Sequence, residues 1–82
     1  MGDAIDVKAD QVLDVQGLCC PMPVVKSKKA IDALELGQVL EIIGTDPGSK
    51  GDLPAWANRA GHEFLGSTED GDVFHFFVKK GK

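Results

Sequence analysis

The chain has 82 residues, 43% apolar and 27% charged, a length that holds one domain and buries only about 60–65% of its unfolded surface. Thirteen acidic against nine basic residues leave a net charge of −4, which disfavours nonspecific binding to nucleic acid. No apolar run approaches the ~20 residues of a membrane span. The polar, acidic residues 1–10 do not read as a signal peptide, so the expected location is the cytoplasm.

Residues 1–10 read as a loose arm. Residues 11–16 alternate, with Leu13 and Val15 on one face and Val12 and Asp14 on the other, which predicts a strand. Gly17 and Leu18 lead into Cys19-Cys20-Pro21. Over residues 21–36 the apolar spacing becomes helical. Val24, Ser27, Ile31 and Leu34 form one stripe, widened by Ala30, while Lys26, Lys28, Lys29 and Asp32 fall mostly on other faces. Gly37 supplies a stop. Residues 38–44 predict a second strand, Leu40 and Ile42 facing one way and Val39, Glu41 and Ile43 the other.

Asp46-Pro47-Gly48-Ser49 reads as a type II turn, Pro47 presetting its φ and Gly48 taking a positive one. A second helix is predicted over residues 50–60, burying Leu53, Trp56, Ala57 and Ala60. Ser49, Gly51 or Asp52 would cap it, Pro54 must lie near its first turn, and Gly61 ends it. Residues 62–68 and 72–78 read as strands joined across Asp70-Gly71. Residues 79–82 read as a frayed basic tail.

The order is βαβαββ. Packing both helical stripes on one face of a four-stranded mixed sheet is the simplest way to bury them, which predicts an α/β (α+β) two-layer sandwich. Val12, Val39, Ile43, Val73 and Phe77 then share the face away from the helices. Exposed there, they would form a partner or self-association surface; the alternative is that the N-terminal arm or nearby long side chains cover them.

Cys19 and Cys20 are neighbours and cannot close a loop, which excludes a disulfide scaffold. If the first two strands are parallel, the segments at 19–21 and 46–52 lie at the same edge of the sheet. Two helix N-termini then face one small region that holds Cys20. Pro21 suits the first helical position, which makes Cys20 the N-cap residue. Free N–H groups there stabilise an anion, so the Cys20 thiol pKa is expected to be depressed. The same donors would steady a persulfide anion. Pro23 stiffens the turn, and Lys26, Lys28 and Lys29 add positive potential, screened beyond ~8–10 Å.

Gly17-Leu18-Cys19-Cys20-Pro21-Met22-Pro23-Val24-Val25, following Asp14-Val15-Gln16, resembles the hallmark of the TusA/SirA family of small sulfur-carrier proteins. The core of that hallmark is Cys-Pro-x-Pro at the start of the first helix, after an Asp-x-x-Gly-Leu lead. Gly37, Thr45-Asp46-Pro47, Asp52-Leu53-Pro54 and Gly61-His62-Glu63 extend the resemblance over residues 11–80. It implies one domain over 11–80 with a fold similar to the C-terminal domain of translation initiation factor three. It also implies a sulfurtransferase that holds sulfane sulfur as a persulfide on Cys20, with no cofactor beyond that covalent intermediate. The donor would be a cysteine desulfurase or rhodanese. The acceptor would be a relay protein serving tRNA thiolation, molybdenum-cofactor synthesis or dissimilatory sulfur oxidation. Neither direct nucleic-acid binding nor membrane insertion is implied. Two departures stand out: Cys19 beside the active cysteine, where many members have one thiol, and Met22, where some have an acid. They point to a different partner surface and toward the sulfur-metabolism members.

Cys19 is either structural or an accessory thiol that resolves the persulfide to sulfide and leaves a vicinal disulfide. Gly17, Pro21 and Pro23 are the positioning residues of the motif. Lys26, Lys28, Lys29, Met22, Asp46 and Asp52 are the candidate partner-binding residues, although capping is the ordinary use of the two aspartates. Neither His62 nor His75 is placed as a general base, and sulfane transfer needs none once the thiolate is formed. Two other readings remain. One is a soft-metal module using Cys19, Cys20 and Met22, weakened by the absence of Cys-x-x-Cys. The other is a noncatalytic interaction module using the open sheet face or the lysines.

Overall fold

Alternating and helical apolar spacings give four strands and two helices, each with one face to bury. The computed structural model describes residues 9–18 and 22–82. In it the elements are β1 (Gln11–Asp14), α1 (Met22–Asp32), β2 (Val39–Gly44), α2 (Ser49–Ala60), β3 (Glu63–Asp70) and β4 (Val73–Lys79). The sheet order is β1-β2-β4-β3. β1 and β2 are parallel, and β4 runs antiparallel to both β2 and β3. The expected βαβαββ sandwich with a mixed sheet is therefore present. Residues 1–8, read as most of a loose arm, lie outside the described residues. Asp10 is already part of the sheet: its N–H donates to the Val39 carbonyl, and its carboxylate accepts the Val39 N–H. No described helix is long and apolar enough to cross a membrane.

The core lies between sheet and helices. Leu40 and Ile42 of β2 and Phe74, Phe76 and Val78 of β4 pack with Val15, Ile31, Leu53, Trp56 and Ala57. On α1 the buried stripe is Pro23, Ser27 and Ile31, with Val24, Ala30 and Leu34 partly buried beside it. Ser27 pays no desolvation penalty, because its hydroxyl donates to the Pro23 carbonyl one turn back at 2.6 Å.

Several local expectations are corrected. The α1 helix ends at Asp32 rather than near Leu36. Ala33 and Leu34 then turn more tightly, their N–H groups donating to the Ala30 and Ile31 carbonyls three residues back. The segment at 46–49 is not a type II turn, since Gly48 is right-handed at φ −62 and ψ −26. The Asp46 carboxylate accepts the Gly48 N–H at 3.1 Å, and the φ fixed by Pro47 serves a helical turn equally well. Gly48 is thus the N-cap of α2, in place of Ser49, Gly51 or Asp52. Pro54 stands in the second turn of α2 rather than the first. The hairpin loop is Gly71-Asp72, one residue later than expected, with Asp70 opposite Val73. Gly71 at φ 62 suits the first central position of a two-residue hairpin turn.

The basic tail is not frayed. Lys79 pairs with Val39 and Glu63. Lys80 exchanges backbone hydrogen bonds with Gly37 and Gln38. Its ammonium donates to the Asp32 and Leu34 carbonyls at 3.2 and 2.6 Å, satisfying acceptors that the end of α1 leaves open. Gly81 passes so close that a Cβ there would collide with the Gly61 carbonyl. Its N–H donates to His62 Nδ1 at 3.1 Å.

On the sheet face away from the helices, the apolar side chains are covered unevenly. Val12 is 52% exposed, but Val39 and Phe77 are only 9% and 8% exposed. Phe77 stands in register between Glu41 and Gly66. Glu41 in turn meets His75 Nδ1 at 2.8 Å, so a hydrogen-bonded glutamate–histidine pair and a side-chain-free glycine stand beside the ring.

Ile42 is fully buried, and Ile42→Ala is expected to destabilise the fold by about 2–5 kcal/mol in urea titration. Burial, and secondarily Lys80 and Lys82, hold the His62 pKa below 6.5, while Asp32 opposes them. In the folded protein His62 is therefore neutral at pH values where the unfolded chain is protonated. Its contribution is fully present above pH 6.5 and is lost as pH falls from there through the folded value. Between pH 7.5 and 5.5 the wild type should lose more stability than His62→Gln, measured by denaturant midpoints in parallel.

Candidate functional site

Parallel pairing sets the site, because it sends both β1 and β2 toward the same edge of the sheet. The ladder runs from Gln11↔Leu40 to Asp14↔Ile43 and continues as Val15 N–H donates to the Ile43 carbonyl at 2.7 Å. Gly44 lies against Val15, where a Cβ would stand 3.3 Å from Val15 Cγ2. Two residues further, a regular ladder would direct Gly17 N–H to the Thr45 carbonyl. It donates instead to the Thr45 hydroxyl at 3.0 Å. Gly17 takes φ 83 there, a conformation that glycine reaches without steric cost. Asp14 Oδ1 accepts the Gln16 N–H at 2.9 Å, and Leu18 N–H reaches the Val15 carbonyl.

The β1–α1 connection and the β2–α2 turn are thereby joined, as the sequence predicts. Thr45 is the residue that sequence reasoning missed; it figures there only in the family resemblance. The available signal was a hydroxyl residue directly after β2, opposite the glycine directly after β1.

Cys19, Cys20 and Pro21 lie outside the described residues, and with them the N-cap placement and thiol pKa expected for Cys20. On either side of them the site is defined. Gly17 is fixed by Thr45. Met22 opens α1, 40% exposed, and the first turn of α1 carries no acidic residue. A negative charge at that end meets favourable helix-terminal N–H groups and no carboxylate from the same turn. Pro23 is fully buried, so this motif proline packs the helix against the core as well as stiffening its start.

The other candidates divide. Asp46 organises the start of α2 through Gly48. Asp52 stands in the first turn of α2, half-buried, where a carboxylate complements the helix dipole. Lys26 and Lys29 border an open groove with Leu13 and Ala30, and Lys28 does not. Lys50, outside the candidate set, meets Glu69 at 2.9 Å and lies 4.7 Å from the centre of the Phe74 ring. Among the described residues no cluster of three or more His, Cys, Asp or Glu side chains is arranged to hold a metal.

A βαβαββ sandwich with a Cys-Pro-x-Pro motif running into the start of α1 defines the class, and comparison with known proteins defines the family. The model of the family described as Sulfurtransferase TusA matches residues 11–80. The chain is 51% identical over 75 residues to the Bacillus subtilis (strain 168) protein YrkI, covering 92% of this chain and all of that one. It is 49% identical over 71 residues to the sulfur carrier protein TusA of Allochromatium vinosum, covering 87% of this chain and 93% of that one. Among solved structures, the SirA-like protein from Desulfitobacterium hafniense superposes with a TM-score of 0.76 at 26% identity, over 88% of this chain and 99% of that one. The chain belongs to the TusA family.

Thr45→Val removes the acceptor for Gly17 N–H and is expected to cost about 0.5–1.5 kcal/mol. Thr45→Ser should retain most of the wild-type stability. Hydrogen exchange at the Gly17 amide should accelerate in the valine variant only.

Proposed function

We propose that this protein is a sulfur carrier that holds sulfane sulfur on Cys20 and passes it from a donor protein to an acceptor protein. The observation that carries this reading is Cys20-Pro21-Met22-Pro23 directly before and within the first turn of α1, in a chain of the TusA family. The name of the Allochromatium vinosum relative, sulfur carrier protein TusA, agrees with it.

In the loading step the Cys20 thiolate attacks the terminal sulfur of a donor persulfide. A bond forms between Cys20 Sγ and that sulfur, and the bond to the donor cysteine breaks. The donor leaves as a thiolate with the electron pair, and the transferred sulfur keeps its oxidation state. Delivery is the same exchange with the acceptor thiolate as nucleophile. Neither step needs a proton relay, because attacking and leaving groups are both sulfur anions. The absence of an acid in the first turn of α1 favours holding such an anion. Cys19 is the accessory thiol: attack on the Cys20 sulfur would release sulfide and leave a vicinal disulfide, discharging the carrier. The donor would be a desulfurase or rhodanese, and the acceptor a relay protein of tRNA thiolation, cofactor synthesis or sulfur oxidation.

Reduced protein exposed to polysulfide should gain the mass of one sulfur, located on the Cys20 peptide. Cys20→Ser should abolish the gain, and Cys19→Ser should keep it. Loading of Cys20→Ser at the wild-type rate would overturn the assignment.

A further inference from the structure

The α1 helix carries Lys26, Lys28 and Lys29 within four positions, with Asp32 as its one acid, in a chain of net charge −4. Among the described residues none of the three lysines takes part in an ion pair. They do not share one face. At about 100° per residue, Lys26 and Lys29 stand on neighbouring rows of the helix, while Lys28 lies about 160° from Lys26. Lys26 and Lys29 flank an open groove of about 300 Å³ floored by Leu13 and Ala30.

Leu13 belongs to β1, the end strand of the sheet, whose strand partner among the described residues is β2 alone. The groove thus runs between the first helix and an edge of β1 that no described strand pairs with. Its floor is apolar and its rim is cationic, on a molecule that is otherwise acidic. A long cationic side chain over an apolar floor fits a partner that offers both a carboxylate and hydrocarbon. Two cations on adjacent rows select acidic side chains at alternate positions of an extended segment, which lie on one side of it.

We infer that the Leu13–Lys26–Lys29–Ala30 groove is a docking site for an extended acidic segment of a partner protein, in which carboxylates meet the two lysines and an apolar side chain covers Leu13 and Ala30. The inference rests on the sulfur-carrier reading for its purpose. Lys26 lies about one turn along α1 from Met22, so a segment seated in the groove holds its parent protein beside the cysteine end of the helix. Specificity then comes from a surface separate from the reacting sulfur. Lys28, facing elsewhere, takes no part in this contact.

The test is an amide chemical-shift titration of the full chain with three acetylated, amidated peptides: Glu-Leu-Glu-Leu-Glu, Glu-Ser-Glu-Ser-Glu and Lys-Leu-Lys-Leu-Lys. The first should shift the amides of Leu13, Lys26, Lys29 and Ala30, and the other two should bind more weakly or not at all. The Lys26→Glu/Lys29→Glu protein should bind the first peptide about tenfold more weakly or worse, and Lys28→Glu should bind it as wild type does. Equal binding of the serine peptide would reduce the site to diffuse electrostatics and overturn the proposal. So would shifts mapping to another surface, or the same shifts produced more strongly by a short oligothymidylate, which would assign the groove to nucleic acid. Polysulfide loading is measured on the same proteins. Peptide binding lost in the double variant, with the wild type loading and binding normally, supports the groove. Loading intact with no peptide binding in the wild type overturns the groove alone. Failure of wild-type loading overturns the sulfur-carrier reading and leaves the binding result to stand by itself.

Discussion

The parallel pairing of β1 with β2 is the constraint from which the functional end of this molecule follows. Antiparallel neighbours would place their following loops at opposite edges of the sheet. A parallel pair places them together, and the helix after each strand then begins at the same edge. Here the pairing outlasts the strands: it continues through Val15 to Ile43 and closes when Gly17 gives its N–H to the Thr45 hydroxyl. That last bond substitutes a side chain for the main-chain acceptor that a ladder would use, which frees the Gly17 segment to turn away toward the cysteines while still tethered to β2.

Around this edge the chain uses its residues economically. Pro23 is both a motif residue and a buried wedge, and Ser27 fills a fully buried position because its hydroxyl is returned to the carbonyl of that same proline. Asp46 shapes the start of α2 through its hold on Gly48. Beside apolar packing, the described residues of this edge are thus tied by hydrogen bonds between a short side chain and nearby or facing backbone. Such bonds contribute about 0.5–1.5 kcal/mol each, but they fix direction in a way that apolar contact does not.

The sequence made the fold legible where periodicity was strong. Leu40 and Ile42, Phe74 and Phe76, and the Ser27–Ile31 stripe announce their buried faces by spacing alone, and Gly61 and Gly71 mark real reversals with positive φ. It was misleading where one residue type serves two conformations. Pro47-Gly48 fits a type II turn or a helical start equally, and the Asp46 side chain decides between them. Lys80 looked like a solvated end because its partners, the Asp32 and Leu34 carbonyls, lie 48 and 46 residues away. The Glu41–His75 pair was hidden for the same reason, as was the Gly17–Thr45 bond. Residues that meet across a sheet or between loops leave no periodic trace. At the site, Cys-Pro-x-Pro was legible as a pattern, whereas the division of the three α1 lysines between two surfaces required the helix to be set against β1.

The strand order has one more consequence. The last strand of the fold, β4, is inserted between β2 and β3, so the sheet is incomplete until that segment is in place. Before then β2 lacks its antiparallel neighbour, β3 has no partner at all, and the Lys80 ammonium that closes the end of α1 is missing. Without β4 the earlier elements can form only a parallel pair with two helices, and the edge where β1 and β2 end has no finished core behind it. Assembly is therefore expected to be all-or-none, the core behind that edge closing only when β4 enters the sheet.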